Sequence, residues 1–194
     1  MIITLIRHGR TIGNDKKVYL GLTNEHLSQT GRKNIINNTI RQIYPDCDFI
    51  YTSPLIRCIE TKDIIYPDIP FKIINNLMEC NFGNYEYKTY DDLKYLIPYQ
   101  NWIDSGGLIS FPNGESGIEF RNRSVSAFEE VIKDAMKNNY EKISIICHGG
   151  NIMAIMEAFE ESKLSFYNWQ IKNGEGFITK LTNKKLIKIL SKIN

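Results

Sequence analysis

Three short segments of this 194-residue sequence carry side chains suited to moving a phosphoryl group: Arg7-His8-Gly9, Ser53-Pro54-x-x-Arg57 and His148-Gly149-Gly150. Charge on a transferring phosphoryl spreads over its equatorial oxygens, so fixed cationic donors supply most of the catalysis such a site offers. A neutral imidazole attacks phosphorus and carries the group as a phosphohistidine. Arg7 and Arg57 grip oxygens as planar forks. A carboxylic acid then has to protonate the leaving oxygen and afterwards take a proton from the attacking water. Glu79, followed by Phe82-Gly83-x-Tyr85-Glu86, is the candidate. The chain has only three histidines, and His8 and His148 are each followed by glycine, which lets backbone approach a ligand closely.

Such a cluster needs a frame. Ile2–Ile6 is a short β-branched run, as expected of a strand buried on both faces of a parallel sheet, and it stops at Arg7. From Ser28, Ile35, Ile36, Ile40 and Ile43 recur at helical spacing up to Pro45. Phe49–Tyr51 reads as a second strand, and Ser53-Pro54 offers an N-cap and first-turn proline for a helix with Leu55, Ile59 and Ile64. Phe71–Ile74 is a third strand, followed by a Tyr-rich irregular stretch, about 81–112, expected as an inserted cap. Ile118, Val125, Phe128, Ile132 and Ala135 mark a long amphipathic helix to about Asn138. Lys142–Cys147 predicts a strand running into His148 and a helix over Ile152–Phe159; Phe177–Leu181 and Leu186–Leu190 are closing strands. The alternation predicts one α/β/α domain over 1–194 with a mostly parallel sheet, whose ligands bind beyond the carboxyl ends of the strands.

Composition narrows the partners. Lys+Arg at 24 against Asp+Glu at 22 leaves +2, too balanced for a phosphate-backbone footprint, so nucleic acid is not expected. No apolar run approaches the ~20 residues of a membrane helix, and the N-terminal run is too short for a signal-peptide core. A cytoplasmic protein without membrane attachment is the expectation. The segment Lys184–Lys192 resembles a membrane-surface stretch, but its alternation after Lys185 fits a half-solvated strand better. Cys47, Cys58, Cys80 and Cys147 are scattered, as expected of reduced, buried thiols.

Arg7-His8-Gly9-Arg10-Thr11-x-x-Asn14 resembles the R-H-G-x-T-x-x-N signature of the histidine phosphatase superfamily, in its phosphoglycerate mutase-like branch. Further matches follow in family order: Gly21-x-Thr23 with Leu27-Ser28-x-x-Gly31, Thr52-Ser53-Pro54-Leu55-x-Arg57 with Glu60-Thr61, Glu79 with Phe82-Gly83, Pro112-x-Gly114-Glu115-Ser116, and His148-Gly149-Gly150. The resemblance implies a phosphoglycerate mutase-like fold. It makes His8 the phosphoryl acceptor, Arg7, Arg57 and His148 the phosphate pocket, and Glu79 the proton donor and acceptor. Asn14, Thr23, Gly149 and Arg10 are further substrate or phosphate contacts on the same ground. No cofactor or metal is implied. The substrate is a small phosphorylated metabolite, and the oligomeric state is left open.

Within the superfamily, Trp102 and Phe111-Pro112-x-Gly114-Glu115-Ser116 look most like alpha-ribazole phosphatase of cobalamin synthesis and its broad-specificity relatives. A flat base would lie against Tyr85, Tyr95 or Trp102, with Arg10 at its polar edge. The mutases of this branch use arginines in the cap to hold a substrate carboxylate. No arginine lies between Arg57 and Arg121, which favours hydrolysis over mutation. The chain departs from the family pattern at Arg10, at Lys62, where a small residue is usual, and at Tyr87, where glycine often follows Glu86.

Competing readings are weaker. His26-Leu27-Ser28 has the H-x-[ST] form of a two-histidine phosphoesterase but lacks the second copy, and arginine beside His8 repels a cation from a His8–His26–His148 metal site. Cys147 ends an apolar strand, where it packs inward rather than acting as a nucleophile. The cap aromatics serve as packing for the most part. A non-catalytic phospholigand-binding domain is the alternative of another class. It would have lost the nucleophile or the acid, and both are present.

Overall fold

In a computed structural model that describes residues 1–183 and 186–194, six strands among the described residues form one sheet. They are β1 (Ile2–Arg7), β2 (Phe49–Thr52), β3 (Phe71–Ile73), β4 (Lys142–Cys147), β5 (Gly176–Leu181) and β6 (Ile187–Ile193), in the order β3-β2-β4-β1-β5-β6. Strands β3, β2, β4 and β1 are mutually parallel; β5 and β6 add an antiparallel edge. The Lys184-Lys185 start of the lysine-dotted segment lies outside the described residues, and from Ile187 the segment is β6.

The helices are α1 (Ile12–Asp15), α2 (Gln29–Ile40), α3 (Ile56–Ile65), α4 (Tyr90–Leu93), α5 (Ile97–Asp104), α6 (Gly117–Lys137) and α7 (Gly149–Phe159). Strand side chains alternate between two cores, as the two-residue period requires. Ile3, Leu5, Tyr51, Ile143 and Ile145 pack with Phe128 and Val131 of α6 and Ile152 and Ile155 of α7. Ile6, Ile50 and Ile146 face the other way, toward Ile35 of α2 and Cys58 and Ile65 of α3. This is the three-layer α/β/α arrangement. A third cluster joins the segment before α6 to the first layer through Tyr85, Leu93, Tyr99, Phe111, Phe120 and Phe166.

Two local expectations are corrected. Helix α2 stops at Ile40, because the chain reverses through Gln42 at φ +56°, and Ile36 and Ile40 are exposed rather than part of a continuous apolar face. Helix α3 begins at Ile56 instead of being capped by Ser53: Asn24 Oδ1 accepts the Ile56 amide at 2.7 Å, and Ser53 is engaged elsewhere. Among the described residues no helix is long and apolar enough to cross a membrane.

Candidate active site

Insertion of β4 between β1 and β2 puts the two histidines side by side. Arg7 pairs with Cys147 and Thr52 with Ile146, so His8, Ser53 and His148 leave three neighbouring parallel strands at one edge. The His8 and His148 rings meet edge to face with centroids 5.1 Å apart. Both are buried. His8 Nδ1 lies 2.7 Å from the Gly9 carbonyl, an acceptor only, so Nδ1 carries the proton and Nε2 keeps its lone pair. Burial, then Arg57 and Arg7, hold the His8 imidazole well below its ordinary pKa, which keeps it neutral. His148 is held down by burial and then Arg57 and His8. Arg57 Nε donates to His148 Nδ1 at 3.3 Å, which leaves the ring proton on Nε2, donated to Ser53 Oγ at 2.8 Å.

Arg57 is fully buried and held at three points, the other two being Nη1 on the Thr23 carbonyl (2.8 Å) and Nη2 on the Gly21 carbonyl (2.7 Å). That loop is itself tied down by Glu86, which accepts the Gly21 and Leu22 amides at 3.2 and 2.9 Å and the Thr23 hydroxyl at 2.8 Å. Thr23 therefore reaches the site through its carbonyl, while its hydroxyl is committed to Glu86. A side chain at Gly21 would strike the Cys80 carbonyl, which is why the loop can lie this close. Arg7 Nη1 donates to the Ile171 carbonyl at 2.6 Å, and its buried Nε has no partner. A Cβ on Gly149 would stand 3.3 Å from that Nε.

Glu79 accepts the Cys80 amide at 3.0 Å and the Gly150 amide, in the first turn of α7, at 3.4 Å. Burial raises its carboxyl above the ordinary value, against the pull of the Cys80 amide, Arg57, Arg7 and the Gly150 amide. Arg123 fixes the backbone on either side, donating to the Asn76, Met78 and Glu79 carbonyls at 2.8, 2.9 and 3.3 Å while paired with Glu115 at 2.8 Å. Glu86 and Glu115 are thus both engaged as anchors. Truncating Arg123 to Ala is expected to let Glu79 drift, at a cost of about 10²-fold in kcat/KM for an alkyl phosphate, the scale of a ~1 Å misplacement. Nitrophenyl phosphate, with a leaving group that needs little protonation, should suffer much less; equal losses on the two would refute a role through Glu79.

The remaining residues sit around this group. Asn14 caps α1 with Thr11, and its Oδ1 accepts Asn173 Nδ2 at 3.0 Å; Asn173 also donates to the His8 carbonyl. Arg10 is half-exposed and paired with Asp15 at 2.9 Å, at the rim rather than in the cluster. His26 is exposed and paired with Glu60, apart from the other histidines. Burial pushes Cys58 up to about 12 and Cys147 well above an ordinary thiol, so both are inert. Lys62 is buried against Asp63 and the Phe71 ring. Tyr87 adopts φ +61°, a left-handed conformation that glycine accepts most readily, and its hydroxyl donates to Glu25.

A chamber of about 420 Å³ opens over the cluster, with Arg7, Glu79, Gly149 and Gly150 in its wall together with Tyr19, Trp102, Phe166, Tyr167 and Arg121. Of the three aromatics expected to meet a flat base, only Trp102 lines it. Tyr85 is buried in the third core and Tyr95 is exposed at the surface. Arg121, from the first turns of α6, supplies an arginine that the gap between Arg57 and Arg121 hides in the sequence. The sequence does not reveal the contacts that Ser53, Glu86, Arg123 and Asn173 make here; only Ser53 and Glu86 fall within recognisable motifs.

A mostly parallel sheet at whose carboxyl edge two histidines and two arginines gather beside this chamber defines a phosphatase-class α/β enzyme. The chain belongs to the histidine phosphatase superfamily (branch 1), whose family model matches residues 3–190. It is similar to a broad-specificity phosphatase of Saccharomyces cerevisiae, at 25% identity over 161 residues, 79% of this chain and 67% of that one. It is also similar to a 2,3-bisphosphoglycerate-dependent phosphoglycerate mutase of Wigglesworthia glossinidia brevipalpis, at 25% identity over 189 residues, 80% of this chain and 81% of that one. Its fold matches the crystal structure of the alpha-ribazole phosphatase from Shigella flexneri with a TM-score of 0.85, covering 100% of this chain and 96% of that one at 21% identity.

Proposed function

We propose that this chain hydrolyses small phosphomonoesters through a phosphohistidine on His8. The observation that carries the reading is the anchored, neutral His8, whose free Nε2 stands among Arg7, Arg57 and His148. In the first half-reaction Nε2 attacks phosphorus and the P–O bond to the leaving group breaks, with the Glu79 carboxyl giving that oxygen its proton. In the second, Glu79 takes a proton from water, whose oxygen attacks phosphorus and breaks the N–P bond. Phosphate and neutral His8 are restored. Alpha-ribazole 5′-phosphate, or a broad set of small phosphates, is the substrate reading carried from the sequence. Trp102 and Tyr167 in the chamber wall support an aromatic ligand. The test is a hydrolysis screen over phosphorylated metabolites that includes alpha-ribazole 5′-phosphate; absence of phosphate release from every member would overturn the proposal.

Phosphoglycerate mutase is the second reading, favoured by Arg121 in the chamber wall. Incubation with 3-phosphoglycerate and a bisphosphoglycerate primer separates the two: phosphate release is expected, and rapid conversion to 2-phosphoglycerate without it would replace hydrolysis by mutation.

The pH dependence follows from the two shifts. Phosphorylation needs His8 neutral, which holds above its lowered pKa, and Glu79 protonated, which holds below its raised one. The kcat/KM profile on an alkyl phosphate is therefore expected to persist well below pH 6.5 and to fall on the alkaline side as Glu79 ionises. Glu79→Gln should lower kcat/KM for an alkyl phosphate by about 10²–10⁴-fold and remove the alkaline limb. Nitrophenyl phosphate should lose far less in kcat/KM, which reports the phosphorylation step alone, while its kcat falls with the slowed water step.

A further inference from the structure

We infer that Asn173 is a positioning residue: it holds the side-chain amide of Asn14 in the one orientation that offers N–H groups to a phosphoryl at His8, a role that deepens the phosphatase reading and rests on it. Lys172–Glu175 is a tight turn just before β5, closed by the Glu175 amide on the Lys172 carbonyl at 3.1 Å. Gly174 takes the third position at φ +79°, which such a turn requires, and a Cβ there would stand 2.9 Å from Ile35 Cδ1. The turn is locked from both sides: the Lys172 amide donates to Glu175 Oε2 and the Tyr44 hydroxyl to the Gly174 carbonyl, each at 2.9 Å. It also grips the backbone that carries the nucleophile. The Glu175 carbonyl accepts the Arg7 amide at 3.0 Å, and the Gly174 amide is shared between the Arg7 and His8 carbonyls at 3.0 and 3.2 Å. Asn173 is thus presented from a segment whose position is fixed relative to His8.

Two backbone groups dictate which way both amides face. The His8 carbonyl can only accept, so the Asn173 atom 3.2 Å from it is Nδ2. The Thr11 amide can only donate, so the Asn14 atom 3.2 Å from it is Oδ1. The remaining contact, Asn173 Nδ2 on Asn14 Oδ1 at 3.0 Å, then joins a donor to an acceptor and closes the set. Both N–H groups of Asn173 are spent, and both lone pairs of Asn14 Oδ1 are filled. Asn14 Nδ2 keeps two N–H groups that make no hydrogen bond among the described residues. They lie in the first turn after β1, one side chain away from the His8 carbonyl, where a phosphoryl group would bring acceptors. The reversed amide would set Oδ1 lone pairs against anionic oxygens instead. Asn173 therefore acts on the reaction through the polarity of Asn14.

The test is a double-mutant cycle on the full chain: Asn173→Asp, Asn173→Ala, Asn14→Ala and the pair Asn14→Ala with Asn173→Asp. Each is measured by kcat/KM for an alkyl phosphate and for nitrophenyl phosphate, and by the inhibition constant of inorganic phosphate. Aspartate keeps the shape of asparagine and is equally at home in turns, so a residue that only builds the turn would tolerate Asp better than Ala. The amide clamp reverses that order, because a carboxylate has no N–H to give and draws Asn14 Nδ2 toward itself. Asn173→Asp should lower kcat/KM by about 10–100-fold, the scale of a lost hydrogen bond to a charged group, equally on both esters and with a parallel weakening of phosphate inhibition. Asn173→Ala should lose less. Asn14→Ala should lose a similar 10–100-fold, and adding Asn173→Asp to it should cost no more than about 3-fold further. Asp no worse than Ala, or a full Asn173→Asp loss retained in Asn14→Ala, would overturn the inference and reduce Asn173 to a turn residue or to a misplaced charge. An unchanged Asn14→Ala would overturn it as well, while hydrolysis by the wild type leaves the phosphatase reading standing. If the wild type hydrolyses neither ester, that reading falls, and calorimetric titration with inorganic phosphate across the same variants decides the inference: the same order and the same non-additivity keep it, and equal affinities end it.

Discussion

His8→Ala should lose essentially all turnover, on the order of 10⁶-fold in kcat, the scale seen when a covalent nucleophile is removed from a site whose other groups remain. The loss should be this large because no neighbour can substitute. The His148 Nδ1 lone pair is occupied by the Arg57 Nε–H and its Nε2 carries a proton bound to Ser53, while Cys58 and Cys147 are buried thiols with raised pKa values. His8, by contrast, has Nδ1 fixed on the Gly9 carbonyl and is kept neutral by burial and two arginines. A phosphorylated imidazole is acid-labile, so the adduct is sought by an acid-free quench and mass spectrometry of wild type and of Glu79→Gln, in which the water step is slowed. Label from substrate is expected on His8. Label on another residue, or on none even in Glu79→Gln, would remove the nucleophile assignment.

The strands and helices that carry this site were legible because each is short, apolar and punctuated: Ile2–Ile6 stops at Arg7, Lys142–Cys147 at His148. What the sequence could not supply is which strand lies beside which. The placement of β4 between β1 and β2 is a consequence of tertiary pairing, and it alone makes His8 and His148 neighbours. The side chains that hold the site were harder to read than those expected to do chemistry. Glu86 looks like a spare acid until four groups of the Gly21–Thr23 loop are found on it, and Ser53 looks like a helix cap until its hydroxyl is found on His148. Arg121 and Arg123 lie two apart on one helix, yet one reaches the chamber and the other the backbone of Glu79. A helical period separates adjacent faces but does not say what each face meets. The aromatic cap shows the same limit: Tyr85, Tyr95 and Trp102 are equivalent in composition, and only packing sorts them into core, surface and chamber wall.

Arg57→Ala should lower kcat/KM by roughly 10³-fold or more, the scale for a guanidinium that stabilises charge on a transferring phosphoryl. Of its five N–H groups, three are held by His148, Thr23 and Gly21, which leaves one on each terminal nitrogen for phosphate oxygens. This rigid placement of charge is what lysine cannot reproduce, so Arg57→Lys should recover little. The loss should also be nearly the same for an alkyl phosphate and for nitrophenyl phosphate, because the charge that Arg57 meets lies on the equatorial oxygens common to both. That uniformity sets it apart from Glu79→Gln, which should discriminate between leaving groups. Removing Arg57 also strands the buried Gly21 carbonyl, and a buried group left unsatisfied costs about 1–3 kcal/mol. Thermal unfolding of the variant therefore has to accompany the kinetics. Glu86→Gln, which loosens the same loop while keeping the guanidinium, provides the comparison: it should reproduce part of the stability loss and a smaller part of the rate loss. If Glu86→Gln matched Arg57→Ala in rate, or if Arg57→Ala left kcat/KM unchanged, Arg57 would be a buried strut for the loop rather than a phosphate ligand.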